Sequence, residues 1–198
     1  MKLHRIGIKL FFAPDAAIDL AAAIAVFHRW IRDGRIPAML IDVADYRHVP
    51  EGPGVMLIGH DVDYALDQGG GELGLLTVLK RGSASDLKGG LAEALRLALL
   101  GAVALEQEAA LGTVRVRTDR LQVTLLDRLQ APNDAATRGD LQPAVESALK
   151  QILGAQSLTA EPSGDDPREA LGLDISVPAA AGVADWLERI EAPAGSAG

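Results

Sequence analysis

The 198-residue chain contains no cysteine. That absence excludes disulfides, iron–sulfur clusters, thiolate zinc sites and cysteine nucleophiles together, and it fits the reducing cytoplasm. Aromatic residues are scarce at 4%, so Leu, Ile, Val and Ala must build the core, a composition that suits long helices. Long hydrophobic runs are missing as well. The most apolar stretch, Leu97 to Leu105, falls far short of the about 20 residues that cross a bilayer. The opening Met1-Lys2-Leu3-His4-Arg5-Ile6 has no apolar signal core behind it, so neither export nor a membrane partner is expected.

Positive charge is in deficit. The net charge is −8, and from Gln156 onward eight acids face two bases, so six of the excess negative charges lie there. Phosphate backbones are bound by clustered Lys and Arg; nucleic acid is therefore not an expected partner. Catalytic signatures are also absent: no Walker loop, no Gly-x-Gly-x-x-Gly, no His-Glu-x-x-His and no Gly-x-Ser-x-Gly.

What is present reads as an α+β protein. Leu3 to Phe12 has strand composition, and Pro14 and Asp15 are expected to start a helix with the inner stripe Leu20, Ile24, Phe27 and Ile31. Gly34 is its expected C′ residue, and Pro37 bars continuation. Three strands follow, over 38–43, 54–64 and 73–80, with turn signals at 50–53 and 68–71, which predicts an antiparallel meander. A second helix runs from Ser85 or Asp86 to about Glu108. Between Ala94 and Leu105 its only polar residue is Arg96, so it is either the central core helix or a subunit interface.

A hairpin with its turn at Thr118-Asp119 is expected next. A helix capped by Asp140 follows, carrying Pro143 in its first turn and the stripe Leu141, Val145, Ala148 and Ile152. Closing strands are predicted over 156–160 and 171–177. Residues 1–178 form one expected domain; 179–198 hold a short amphipathic helix with Trp186 and, after Ala192, a tail of disordered composition. The sheet is expected to be mixed or mainly antiparallel, packed against two or three helices. An echo between Ala13-Pro14-Asp15 and Ala131-Pro132-Asn133-Asp134, each between a strand and a helix, suggests two related β-α-β units of a ferredoxin-like kind.

The densest chemistry lies between 38 and 66. Asp42, Asp45, Tyr46 and His48 stand on one expected arm; His60, Asp61, Asp63 and Tyr64 stand on the other. If the chain turns at 50–53, Asp42 faces Asp61 and Val43 faces His60. Facing carboxylates repel unless a proton or cation lies between them. Asp42, His60 and Asp61 are therefore candidate ligands of a divalent metal, the one cofactor the sequence suggests, and with Asp63 they are candidate acid–base groups. Strand alternation puts His60 on the opposite face from Asp61 and Asp63. The plain alternative is a solvated sheet edge. Tyr46, His48 and Tyr64 are candidate ligand contacts. A second candidate site joins Lys80, Arg81 and Lys88 around the start of the second helix, where free N–H groups attract anions; the plain alternative there is an ordinary capped loop.

Two functional expectations follow. One is a cytoplasmic ligand-binding or assembly module that takes a small molecule and forms a homo-oligomer through helix 86–108. The other is a metal-dependent hydrolase or related acid–base enzyme built on Asp42, His60, Asp61 and Asp63.

Overall fold

The computed structural model describes residues 3–178 and 182–192. Ten strands and four helices are formed over these residues: β1 (Ile6–Phe12), β2 (Ala17–Ile18), α1 (Leu20–Asp33), β3 (Leu40–Tyr46), β4 (Gly54–Gly59), β5 (Val62–Asp67), β6 (Gly74–Leu79), α2 (Leu87–Glu106), β7 (Gly112–Thr113), β8 (Val116–Leu125), α3 (Ala135–Leu153), β9 (Thr159–Pro162), β10 (Leu171–Ser176) and α4 (Val183–Glu191). Eight strands make one sheet in the order β3-β4-β5-β6-β1-β8-β10-β9. Every described pairing in it is antiparallel. β2 and β7 pair separately. The expected α+β class with a mainly antiparallel sheet is thus observed, and the disordered tail expected after Ala192 lies outside the described residues.

The two faces of the sheet differ. Ile6, Ile8 and Leu10 of β1 lie beside Leu75 and Leu79 of β6 and Leu121, Val123 and Leu125 of β8 on one face, all fully buried. α2 covers that face at β1, β5 and β6, and α3 and α4 flank it; α1 covers β3 and β4. No described helix covers the other face, where the cross-strand row Ala65, Leu76, Lys9, Gln122, Asp174 and Glu161 runs over six strands.

α2 is the core of the first layer. Leu91, Leu95, Ala98, Leu99, Ala102 and Leu105 are buried, and Gly101 lies so close to Tyr64 that a Cβ there would stand 2.8 Å from the ring. The apolarity that suggested an interface through 86–108 is used inside the fold, because sheet, α3 and α4 wrap the helix on most sides. Gly89 and Gly90 do not delay its start: Asp86 accepts from Gly89 N at 2.7 Å, and Gly90 nests against Ile6.

Other boundaries shift for local reasons. α1 starts at Leu20, where Asp19 accepts from Ala21 and Ala22 N–H groups, because 17–18 extends to pair with β7. Its buried stripe is Ala23, Val26, Phe27 and Trp30, rotated from the expected one; Gly34 closes it with φ 60°. The expected hairpin at Thr118-Asp119 is one continuous strand, β8, which absorbs those residues in a register shift against β1. α3 begins a turn and more earlier than Asp140, on an Asp134 cap, which puts Pro143 in its interior. There Pro143 lacks the N–H that would meet the Gly139 carbonyl. Trp186 of α4 is buried on its own chain.

The contrast between two helical glycines is testable. Gly101→Ala is expected to destabilise by roughly 1–3 kcal/mol through overpacking against Tyr64. Gly139→Ala, which meets nothing within 4 Å, is expected to stabilise by about 0.5–1 kcal/mol. Urea unfolding of the two variants measures both signs.

Candidate functional site

The expected pairing of Asp42 with Asp61 is not formed. The 54–64 run is two strands, β4 and β5, joined by a tight turn at His60-Asp61. β3 pairs with β4 so that Asp42 faces Ile58 and Val43 faces Leu57. Gly59 makes the turn possible, since a Cβ there would lie 2.4 Å from the Val62 carbonyl oxygen. Asp63 locks it by accepting from Gly59 N (3.1 Å) and from Lys80 Nζ (2.7 Å).

His60 and Asp61 do meet, with Nε2 and Oδ1 3.7 Å apart, and Arg81 joins them by donating to the His60 carbonyl at 2.9 Å. All three are exposed. Asp42 lies apart on β3, its carboxylate accepting from Val43 N. Among the described residues no group of three His, Cys, Asp or Glu side chains is placed to hold a metal ion, so Asp42, His60 and Asp61 are not gathered as a ligand set.

The remaining candidates scatter. Tyr46 stacks on His48 at the exposed end of β3, beside Asp45, whose carboxyl is held down to about 2 by hydrogen bonds from the Arg47 side chain and N–H. Tyr64 is in the core, donating to the Leu97 carbonyl at 3.2 Å, and burial pushes its phenol well above the ordinary value. Lys88 bonds Gln151 on α3. The anion site expected near it is already filled by the protein's own carboxylates: Glu93 takes the Ser83 N–H and Asp86 the Gly89 N–H.

A different site lies on the open face. A groove of about 370 Å³ is floored by β1 and β8 and rimmed by the loops 67–72 and 163–170. At its base Lys9 is only 4% exposed, although it projects from the uncovered face. The Gly69-Gly70-Gly71 loop folds over it: Lys9 Nζ donates to Asp67 Oδ2 (2.6 Å) and to the Gly69 carbonyl (2.7 Å). Gly74 leaves room for the lysine stem, since a Cβ there would lie 3.1 Å from Lys9 Cε. Phe11 carries two cations over its ring, Lys9 Nζ at 5.4 Å from the centroid and the Arg120 guanidinium carbon at 4.1 Å. Arg120 also donates to both oxygens of Glu72, at 2.8 and 3.1 Å.

Sequence reasoning passed over both Lys9 and Arg120 as site residues. The available signal was the lone charge inside Ile6–Phe12, at a position whose neighbours in period two are Gly7 and Phe11.

Compared with known proteins, the chain matches no family model, and no curated protein or solved structure is significantly similar to it.

The buried ion pair predicts coupled energetics. Lys9→Met leaves the largely desolvated Asp67 without its cation and is expected to destabilise by about 1–3 kcal/mol. Adding Asp67→Asn should recover part of that loss, so a double-mutant cycle by denaturant unfolding will be non-additive; additive losses contradict the coupling. Tyr64 makes a second prediction. Its folded-state pKa is raised, so the folded chain keeps a proton that the unfolded chain releases above pH about 10. Stability therefore falls as pH rises through that range, and Tyr64→Phe should flatten this slope relative to the parent.

Proposed function

We propose that the protein is a ligand-binding module whose site is the groove on the open sheet face, taking a small polar molecule. The observation that carries the reading is the buried Lys9–Asp67 pair at the base of that groove. Desolvating two charges is costly, and an apolar pair of the same volume often serves stability as well or better. A fold that keeps such a pair beneath a cavity is holding a defined polar surface in place. The lack of cysteine supports placing it in the reducing cytoplasm.

Mass spectrometry of the purified chain under native conditions, followed by denaturation, tests this reading. A co-purified small molecule is expected, and Thr124→Trp, which fills the groove without changing its charge, should lose it. The same molecule added back should raise the unfolding midpoint, corresponding to about 2.7 kcal/mol at a hundredfold excess over Kd. Binding unchanged by Thr124→Trp contradicts the assignment of the groove.

A second reading is self-association, and one observation favours it at a place other than helix 86–108. Met39, Ile41, Tyr46 and Val49, four of the five exposed large hydrophobics of the described residues, lie along the outer edge strand β3 and its flanks. A free strand edge offers its backbone to a second strand. Sedimentation at micromolar concentration, with Ile41→Lys as the disrupting variant, tests it; a parent chain that is strictly monomeric rejects it.

We also read the two halves as related β-α-β units of a ferredoxin-like kind. β1 leads through Ala13-Pro14-Asp15 to α1, and β8 through Ala131-Pro132-Asn133-Asp134 to α3. The last strand of each half, β6 or β10, returns antiparallel beside the first.

A further inference from the structure

The chemistry of the groove narrows its ligand, on the reading that the groove is the binding site. We propose that the ligand carries a primary ammonium together with hydroxyl groups, as an amino sugar or amino alcohol does.

The cations that line the groove are already engaged. Lys9 is held by Asp67 and the Gly69 carbonyl, and Arg120 by both oxygens of Glu72 while it lies against Phe11. Each thus has its charge matched by a carboxylate, so an anionic ligand meets only their remaining N–H groups and no net positive charge. The carboxylate of Glu169 on the opposite rim has no hydrogen bond or ion pair among the described residues; the nearby Arg168 is held by Asp166 and does not line the groove, so the lining keeps one negative charge in excess. A charge so placed favours a cationic donor and repels an anion.

The neutral groups point the same way. Gln122 donates one Nε2 hydrogen to Asp174 at 3.3 Å, which fixes the amide and leaves its carbonyl oxygen free to accept. The hydroxyls of Thr124 and Ser163 line the same wall and have no partner among the described residues. Ser163 lies over Gly172, where a Cβ would stand 2.0 Å from its Oγ, so any larger residue at 172 would displace it. One carboxylate, one amide oxygen and two hydroxyls make a wall that accepts several hydrogen bonds from an ammonium and exchanges them with ligand hydroxyls. The net charge of −8 adds a field that draws in small cations.

Amide NMR spectra of the whole chain, titrated separately with glucosamine, N-acetylglucosamine and citrate, test the proposal. The two sugars share a ring and differ at the nitrogen, where only the first is charged. Glucosamine should shift the amide signals of Gln122, Thr124, Glu169 and Gly172 and saturate. N-acetylglucosamine, or glucosamine on Glu169→Gln, should bind at least about tenfold more weakly, the loss of a charge-assisted hydrogen bond. Glu169 is exposed, so its variant should keep the parent's dispersed spectrum. Equal binding of both sugars, binding of citrate at these amides, or glucosamine shifts spread over the acidic C-terminal third would each overturn the ammonium assignment. Binding of neither sugar would overturn it too; a co-purified molecule that Thr124→Trp releases would then leave the groove as the site and the ligand class wrong.

Discussion

The close seating of α2 on the sheet governs the rest of the molecule. Gly101 lets the helix approach until it touches the Tyr64 ring, and Leu91, Leu95 and Leu105 are fully enclosed. A helix that apolar has to be wrapped on most sides. The sheet takes one side and α3 and α4 take the others, so the helices are drawn to a single face. An eight-stranded sheet with one covered layer necessarily leaves the second face to solvent, and the alternation along each strand sorts residues between the two.

On that second face polarity is concentrated where β1 and β8 meet. Towards β4, β5 and β6 the same face carries Met56, Ile58, Ala65, Leu76 and Val78, none of them exposed. Towards β8 and β10 it carries Gln122, Thr124 and Asp174. Lys9 stands at the change between them, and the glycine loop that folds over it turns an open sheet surface into a walled one. Gly70 and Gly71, with φ near 70°, let that loop bend as it does.

Much of this architecture was legible in the letters. The C-terminus of α1 at Gly34, the extent of α2 and the meander between residues 38 and 80 follow from caps, periodicity and turn residues. The β4–β5 turn was not legible: it has two residues, His60 and Asp61, and neither has positive φ. The Asn-Gly signal that marks most such turns is therefore missing. The turn before β4 was misplaced as well: β3 ends at Tyr46, which pairs with Gly54, so the connection is 47–53 rather than 50–53 and Asp42 stands against Ile58 instead of Asp61. A hairpin site read from sequence depends on the register, and an error at one turn moves every opposed pair. The groove was illegible for another reason. Lys9, Asp67, Arg120 and Gly172 come from four strands, and only the sheet order makes them neighbours.

The place of β1 between β6 and β8 has a consequence during synthesis. Both its neighbours are made long after it, and β8 last, so β1 waits unpaired until they have been synthesised. Pairing at such sequence separation is slow. Ile-Gly-Ile-Lys-Leu-Phe-Phe is a short β-prone segment of the kind that aggregates when left exposed. Its one charge, Lys9, interrupts it. Before it has met Asp67, this lysine already serves the nascent chain as a gatekeeper against self-pairing.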